Sequence, residues 1–232
     1  MNTITPELST IAFIQNFDFG DELTALHMYH LIGKHSPVIL EIGANCGQST
    51  VTFMEQMPYA TVYCFEPDPR AISKFKRMLQ HPNVHLIEAA VGANSGHVMF
   101  HQSSGAEHID PSGWDHSGSI RKPKTHLAAF PGVKFEKQIP VPLIKLDDWT
   151  KENQIGEIDF IWADVQGAES DLILGAIDTL RKTRYLYTEY SDDEQYEGQI
   201  NFSNLSLLLN RVGFDILHKY KHDALFHNIN LI

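Results

Sequence analysis

A doubly wound α/β fold is predicted by three features of the 232-residue chain. Short apolar runs alternate with amphipathic segments, a glycine-bearing turn joins one such run to a helix, and an acid closes the next run. The first helix is expected over Glu22–Ile32, with Asp21 as its cap and Gly33 as its stop. Val38–Ile42 reads as a buried strand ending in Gly43. From Gly47 a helix presents Val51, Met54 and Met57 on one face, and Pro58 ends it. Thr61–Phe65 is the second strand. Asp68 and Pro69 then open a helix with Ala71, Phe75, Met78 and Leu79 along one stripe. Val84–Ile87 gives a third strand and Val98–Phe100 a short extra one.

Ile158–Ala163 is a further buried strand ending at Asp164, followed by a helix with Leu172, Ile173, Ala176, Ile177 and Leu180 inward. Tyr185–Glu189 returns as a strand, Ser203–Val212 is helical and stops at Gly213, and Phe214–Leu217 with Leu225–Phe226 would close the sheet. Residues 101–134 lose periodicity and are rich in Gly, Ser, His and Pro, so this stretch reads as a long irregular loop of functional use. The organisation expected is an N-terminal helical segment over 1–35 packed on a core domain over 36–232.

Composition narrows the classes. With 18 Lys+Arg against 29 Asp+Glu the net charge is −11, and no block of consecutive cations is present, so a broad nucleic-acid surface is not expected. No run approaches the roughly 18 apolar residues of a membrane span, and the first ten residues lack the pattern of a secretory signal, so a cytoplasmic protein without membrane insertion is expected. Cys46 and Cys64 make no disulfide framework or metal-ligand spacing, and the histidines are scattered. No metal is expected.

The chemistry concentrates at strand ends. In Glu41–Thr50, Gly43 and Gly47 let the backbone approach a ligand, while Asn45 in place of a middle glycine disfavours a dinucleotide pyrophosphate. Glu41 adds negative charge suited to an ammonium or sulfonium group. Glu66, 23 residues after Gly43, ends the second strand where a carboxylate accepts from ribose hydroxyls, which implies a nucleoside. Asp164 would face the Gly43 turn if its strand lies beside the first. The alternative is that Asp164 or Gln166 only caps the helix that follows.

Together, EIGANCGQST, Phe65-Glu66-Pro67, Glu88-Ala89-Ala90-Val91-Gly92, Leu146-Asp147-Asp148-Trp149, IDFIWADVQGAE and Gly175 resemble the FkbM family of S-adenosylmethionine-dependent methyltransferases, over roughly residues 36–190. The resemblance implies the Rossmann-like class I methyltransferase fold, a seven-stranded, mostly parallel sheet with helices on both faces. It also implies O-methylation of a hydroxyl on a sugar, glycan or natural product. It assigns the methionine part of the cofactor to Glu41, Gly43, Ala44, Asn45, Gly47, Gln48 and Ser49, the ribose to Glu66 beside Pro67, and the adenine to Glu88, Ala89 and Ala90. Asp164 would sit near the transferring methyl.

The chain departs from the family's Lys-x-Asp-Val-Glu-Gly run at Trp162 and Gln166, which argues against a metal-assisted mechanism. Asp164 is the leading candidate for the base, with His108, His116 and Glu189 as alternatives. Ser119 and Gln166 would line the acceptor pocket. Arg121, Lys122 and Lys124 would contact an anionic sugar or form a solubilising patch, and Trp114 and Trp149 are core or loop anchors or sugar platforms. An NAD-dependent oxidoreductase on the same sheet and a non-catalytic nucleoside-binding module are the alternatives.

Overall fold

The computed structural model describes residues 17–106 and 113–232. Helices are α1 Ala25–Ile32, α2 Gln48–Gln56, α3 Pro69–Met78, α4 His126–Ala129, α5 Leu146–Glu152, α6 Glu169–Gly175, α7 Ile177–Arg181 and α8 Phe202–Arg211. Strands are β1 Val38–Ile42, β2 Thr61–Phe65, β3 Val84–Ile87, β4 Ala90–Val91, β5 Gly96–Gly105, β6 Val133–Ile144, β7 Ile158–Ala163, β8 Thr183–Glu189, β9 Phe214–Lys219 and β10 Asp223–Asn228.

Seven strands form one sheet in the order β3-β2-β1-β7-β8-β10-β9. All neighbours from β3 to β8 run parallel, and β10 is antiparallel to both β8 and β9. Strand order reverses at β1, which pairs with β2 on one side and β7 on the other, and this reversal is where open α/β sheets bind ligands at their carboxyl ends. Alternate β1 residues feed two cores: Ile39 joins Phe53, Val62 and Phe160 on one face, and Leu40 and Ile42 join Phe65, Ile161 and Leu186 on the other. The central strands are buried on both faces, which accounts for their continuous apolar runs.

Several elements differ from the sequence expectation. α1 begins at Ala25 rather than Glu22, because the Thr24 hydroxyl accepts from the His27 N–H while the His27 ring accepts from the Thr24 N–H, a reciprocal cap that Asp21 does not make. The helix after β7 is broken into α6 and α7. A side chain at Gly175 would come within 2.0 Å of the Gly92 carbonyl oxygen, so the chain passes the β4 turn too closely for a continuous amphipathic rod. The irregular stretch is shorter than 101–134: β5 runs to Gly105, α4 spans His126–Ala129, and β6 starts at Val133. β5 and β6 pair antiparallel and, with β4, make a second, three-stranded sheet. Asp147, in the LDDW run, accepts from the Thr179 N–H and hydroxyl and so ties α5 to α7, while Trp149 packs edge-on against Tyr63 and Phe65 as a core residue.

Candidate functional site

The turn after β1 is built by backbone geometry. Gly43 has φ 89°, and a Cβ there would lie 1.8 Å from the Asp164 carbonyl oxygen, so only glycine lets the end of β1 run against the end of β7. Asn45 takes φ 45°, a conformation asparagine tolerates better than most residues, and its side chain accepts from the Cys46 N–H at 2.7 Å. Gly47 caps α2 at φ 87° with the Phe75 ring where its side chain would be.

A cavity opens beside this turn. Of the residues singled out from sequence, Gly43, Asn45, Glu66, Pro67, Ala89, Ala90, His116, Ser119, Asp164 and Gln166 line it. Phe65, Val91, Phe100 and Ile120 supply an apolar wall. Glu66 is 5% exposed, and its carboxyl is held from both sides: Oε2 accepts from the Asn45 N–H at 2.8 Å and Oε1 from the Asp68 N–H at 2.7 Å. Burial nevertheless pushes it up to about 8.

The remaining residues assigned to the cofactor stand outside the lining. Glu41 is buried beneath the turn, where it accepts from the Thr50 hydroxyl and the Cys64 thiol, and burial raises it to about 7; it links β1, α2 and β2 rather than facing the cavity. Glu88 is on the surface in an ion pair with Lys76, because the chain turns its side chain outward before Ala89 and Ala90 reach the cavity. Gln48 is exposed, Ala44 and Gly47 are buried behind the turn, and Ser49 lines a separate groove with Trp162, Tyr187 and Asp223.

The acidic end of the cavity is a connected group. Parallel register pairs Ala163 with Thr188, so Asp164 and Glu189 leave β7 and β8 side by side. The Gln166 amide donates to Asp164 Oδ1 at 2.7 Å and to Glu189 Oε2 at 2.9 Å. The Tyr196 hydroxyl stands 2.9 Å from both Gln166 Oε1 and the Ser117 carbonyl. The Ser119 hydroxyl donates to the Gln166 carbonyl and accepts from the Arg121 N–H, so it braces the wall. Burial raises Asp164, against the lowering effect of its bonds to Gln166 and Glu189, and raises Glu189 well above the carboxylate range with the Asp164 charge adding to the effect. Asp164 is not among the cap bonds of α6; Glu169 instead accepts from the Gly167 N–H.

Two residues of this site were not anticipated from sequence. Asp115 lines the cavity, with one oxygen 2.8 Å from Lys74 Nζ and the other buried without a hydrogen-bond partner. Tyr196 is buried against Gly167, where any side chain would meet its ring at 2.7 Å; that glycine is the one local sign of the approach. His108 lies outside the described residues. Arg121 pairs with Asp171 of α6, and Lys122 and Lys124 pair with Glu197 and Glu194, which fastens the 113–126 segment to α6 and to the 190–200 segment. Trp114 donates to the Ser117 hydroxyl and sits against His116 as a loop anchor.

The methyltransferase FkbM domain model matches residues 41–216, which takes in the turn, Glu66, Asp164 and Tyr196. The chain belongs to the FkbM methyltransferase family. The 2-O-methyltransferase NoeI of Sinorhizobium fredii (strain NBRC 101917 / NGR234) is 47% identical over 171 residues, covering 73% of this chain and 70% of that protein. Among solved structures, Aeropyrum pernix fibrillarin with natively bound S-adenosyl-L-methionine has a TM-score of 0.46 at 14% identity, covering 95% of this chain and 73% of that one. Precorrin-6y C5,15-methyltransferase from Geobacter metallireducens has a TM-score of 0.44 at 13% identity, covering 83% and 70%. As an FkbM member the chain is an S-adenosylmethionine-dependent methyltransferase, and the NAD-dependent and non-catalytic alternatives fall away. No helix among the described residues is long and apolar enough to cross a membrane.

Proposed function

We propose that the protein transfers a methyl group to a hydroxyl of a sugar, glycan or small natural product, with the cavity beside the Asn45 turn as the cofactor site and Asp164 beside the transferring methyl. The observation that carries this reading is the placement of Glu66 and Asp164 on opposite sides of the strand reversal, with the Asn45 turn between them. The lining fits the cofactor. A buried carboxyl suits two ribose hydroxyls, the apolar wall of Phe65, Ala89, Ala90 and Val91 suits a base, and the unpartnered Asp115 oxygen offers a further acceptor. The name of the relative NoeI as a 2-O-methyltransferase supports oxygen as the acceptor atom.

S-adenosylmethionine supplies an electrophilic methyl on a cationic sulfur. The protein's part is to hold the acceptor oxygen in line with that methyl and to take the hydroxyl proton. Asp164 has the position for the second task, and His116 on the facing segment is the alternative. Residues 36–232 are read as the catalytic unit, with residues 17–35 of the N-terminal segment packed against it; residues 1–16 lie outside the described residues. In support of that reading, Met28 of α1 is buried in the same core as Phe53 of α2. With a net charge of −11 and Arg121, Lys122 and Lys124 paired with acids, a small-molecule or glycan acceptor is preferred over a nucleic acid.

Titration calorimetry with S-adenosylhomocysteine, followed by mass detection of methylated products from monosaccharides, oligosaccharides and a control RNA, tests the reading. Binding with a methylated sugar is expected. Methylation of the RNA and of no sugar would overturn the acceptor class.

A further inference from the structure

The two acids at the end of the cavity are joined in a way that the base role of Asp164 alone does not require. Gln166 is at φ 50°, a left-handed backbone position that turns its side chain back over the strand ends. Its Oε1 faces the Tyr196 hydroxyl, whose single hydrogen is shared with the Ser117 carbonyl, and its Nε2 faces Asp164 and Glu189. The two carboxyls leave neighbouring parallel strands and both accept from the one Gln166 nitrogen, at 2.7 and 2.9 Å, which holds them close together. Two ionised carboxylates at that separation repel, and one proton between them converts the repulsion into a bond.

The surroundings add to the pressure. Glu41 from β1, Glu169 from α6 and Asp223 from β10 bring further carboxyls to bear on the pair, Tyr196 faces it from the 190–200 segment, and His116 is the neighbouring group able to carry positive charge. Arg121 acts on Glu169 and is itself paired with Asp171.

We propose that Glu189 carries a proton shared with Asp164, and that Gln166, oriented by Tyr196, locks this arrangement and leaves Asp164 as the single anion that receives the acceptor's proton. The inference rests on the methyl-transfer reading above. In the step, the acceptor oxygen forms a bond to the methyl carbon while the carbon–sulfur bond breaks, its electron pair remaining on sulfur. The hydroxyl proton passes to Asp164. The pair goes from one negative charge to none as sulfur loses its positive charge, so the summed charge of the pair and the sulfur does not change in the step. Glu189, Gln166 and Tyr196 are positioning residues, acting through Asp164.

The direct test is ¹³C NMR of the full-length protein labelled at the Glu δ and Asp γ carboxyl carbons, titrated from pH 5 to 9, with Glu189→Gln and Asp164→Asn assigning the two signals. Expected at pH 7 is a neutral-carboxyl shift for Glu189 and a carboxylate shift for Asp164. Both ionised, or the proton resident on Asp164, overturns the proposal. Kinetics on whichever sugar of the panel accepts the methyl give the second readout. Glu189→Ala should lower kcat by about tenfold to a hundredfold and move the acid limb of kcat to higher pH, because the bond that lowers Asp164 is lost. Glu189→Gln, a neutral donor like the protonated acid, should recover about tenfold of that loss and return the limb. If Gln fares no better than Ala while Asp164→Asn abolishes turnover, the inference fails alone. If Asp164→Asn keeps full turnover, the base reading falls and the inference falls with it.

Discussion

The proposed grip of Glu66 on the cofactor ribose predicts an effect of calculable size. Both of its oxygens already accept from backbone N–H groups, at 2.8 and 2.7 Å, which fixes the carboxyl and leaves one lone pair on each oxygen for a hydroxyl. Two charge-assisted bonds at roughly 1.5–3 kcal/mol each set the upper bound, and about half of it survives once water replaces the missing group. Glu66→Ala should therefore lose about 1.5–3 kcal/mol, roughly 10- to 150-fold in the Kd of S-adenosylhomocysteine. Glu66→Gln is not a conservative change, since an amide has one oxygen for two N–H donors, and its NH₂ would face one of them.

Proton linkage provides an independent check. Burial holds Glu66 at about 8 without ligand, so at pH 7 about 0.9 of the molecules carry the proton, and binding through the ionised form must release it. The sign follows: affinity should rise roughly tenfold from pH 6 to 7 and level off above 8. Calorimetry in two buffers of different ionisation enthalpy reads the release, and thermal unfolding of each variant confirms the fold. A Kd for Glu66→Ala within twofold of wild type, or no proton released at pH 7, would refute the reasoning.

Asp164→Asn should reduce methyl transfer by about 10²- to 10⁴-fold while the Kd of S-adenosylhomocysteine stays within threefold, read by product formation and calorimetry. Glu41 has a folded-state value of about 7 against 4.5 when exposed, so the stability it contributes is present below about 4.5 and lost as pH rises through 7. The loss is about 3 kcal/mol, and Glu41→Gln should flatten the urea-unfolding stability between pH 5 and 8 by that order. Gly43→Ala combines a φ of 89° with a contact of 1.8 Å and should cost more than about 3 kcal/mol, measured by the urea midpoint.

What the sequence disclosed follows the range of the forces involved. β1, β2 and β7 are largely buried and so appear as mostly apolar runs, β8 shows in its Tyr185–Tyr187 centre, and the glycine turn and Glu66 are legible because their chemistry is local to one strand end. β6 escaped notice because VKFEKQIPVPLI mixes charges with Pro140 and Pro142. It tolerates them because β4 pairs only with Leu143 and Ile144, leaving one edge of β6 unpaired over most of its length. Asp115 and Tyr196 could not be found by periodicity, since Asp115 reaches the cavity and Tyr196 reaches Gln166 on irregular segments held by long-range bonds, Lys74 to Asp115 and Tyr196 to the Ser117 carbonyl.

Gln166 marks where reading by family pattern and reading by physics part. Against the run that the family commonly carries, the amide is a loss, an acid missing from a site expected to use one. In the fold it stands between Asp164 and Glu189, with Glu169 close behind. A carboxylate there would offer two more acceptors to two acids that need donors, and would add a like charge to a group already raised by burial. The amide supplies both donors and, through Oε1, accepts from Tyr196. The substitution that weakens the motif is thus the one that lets two adjacent carboxyls coexist beside the Asn45 turn with a single charge between them.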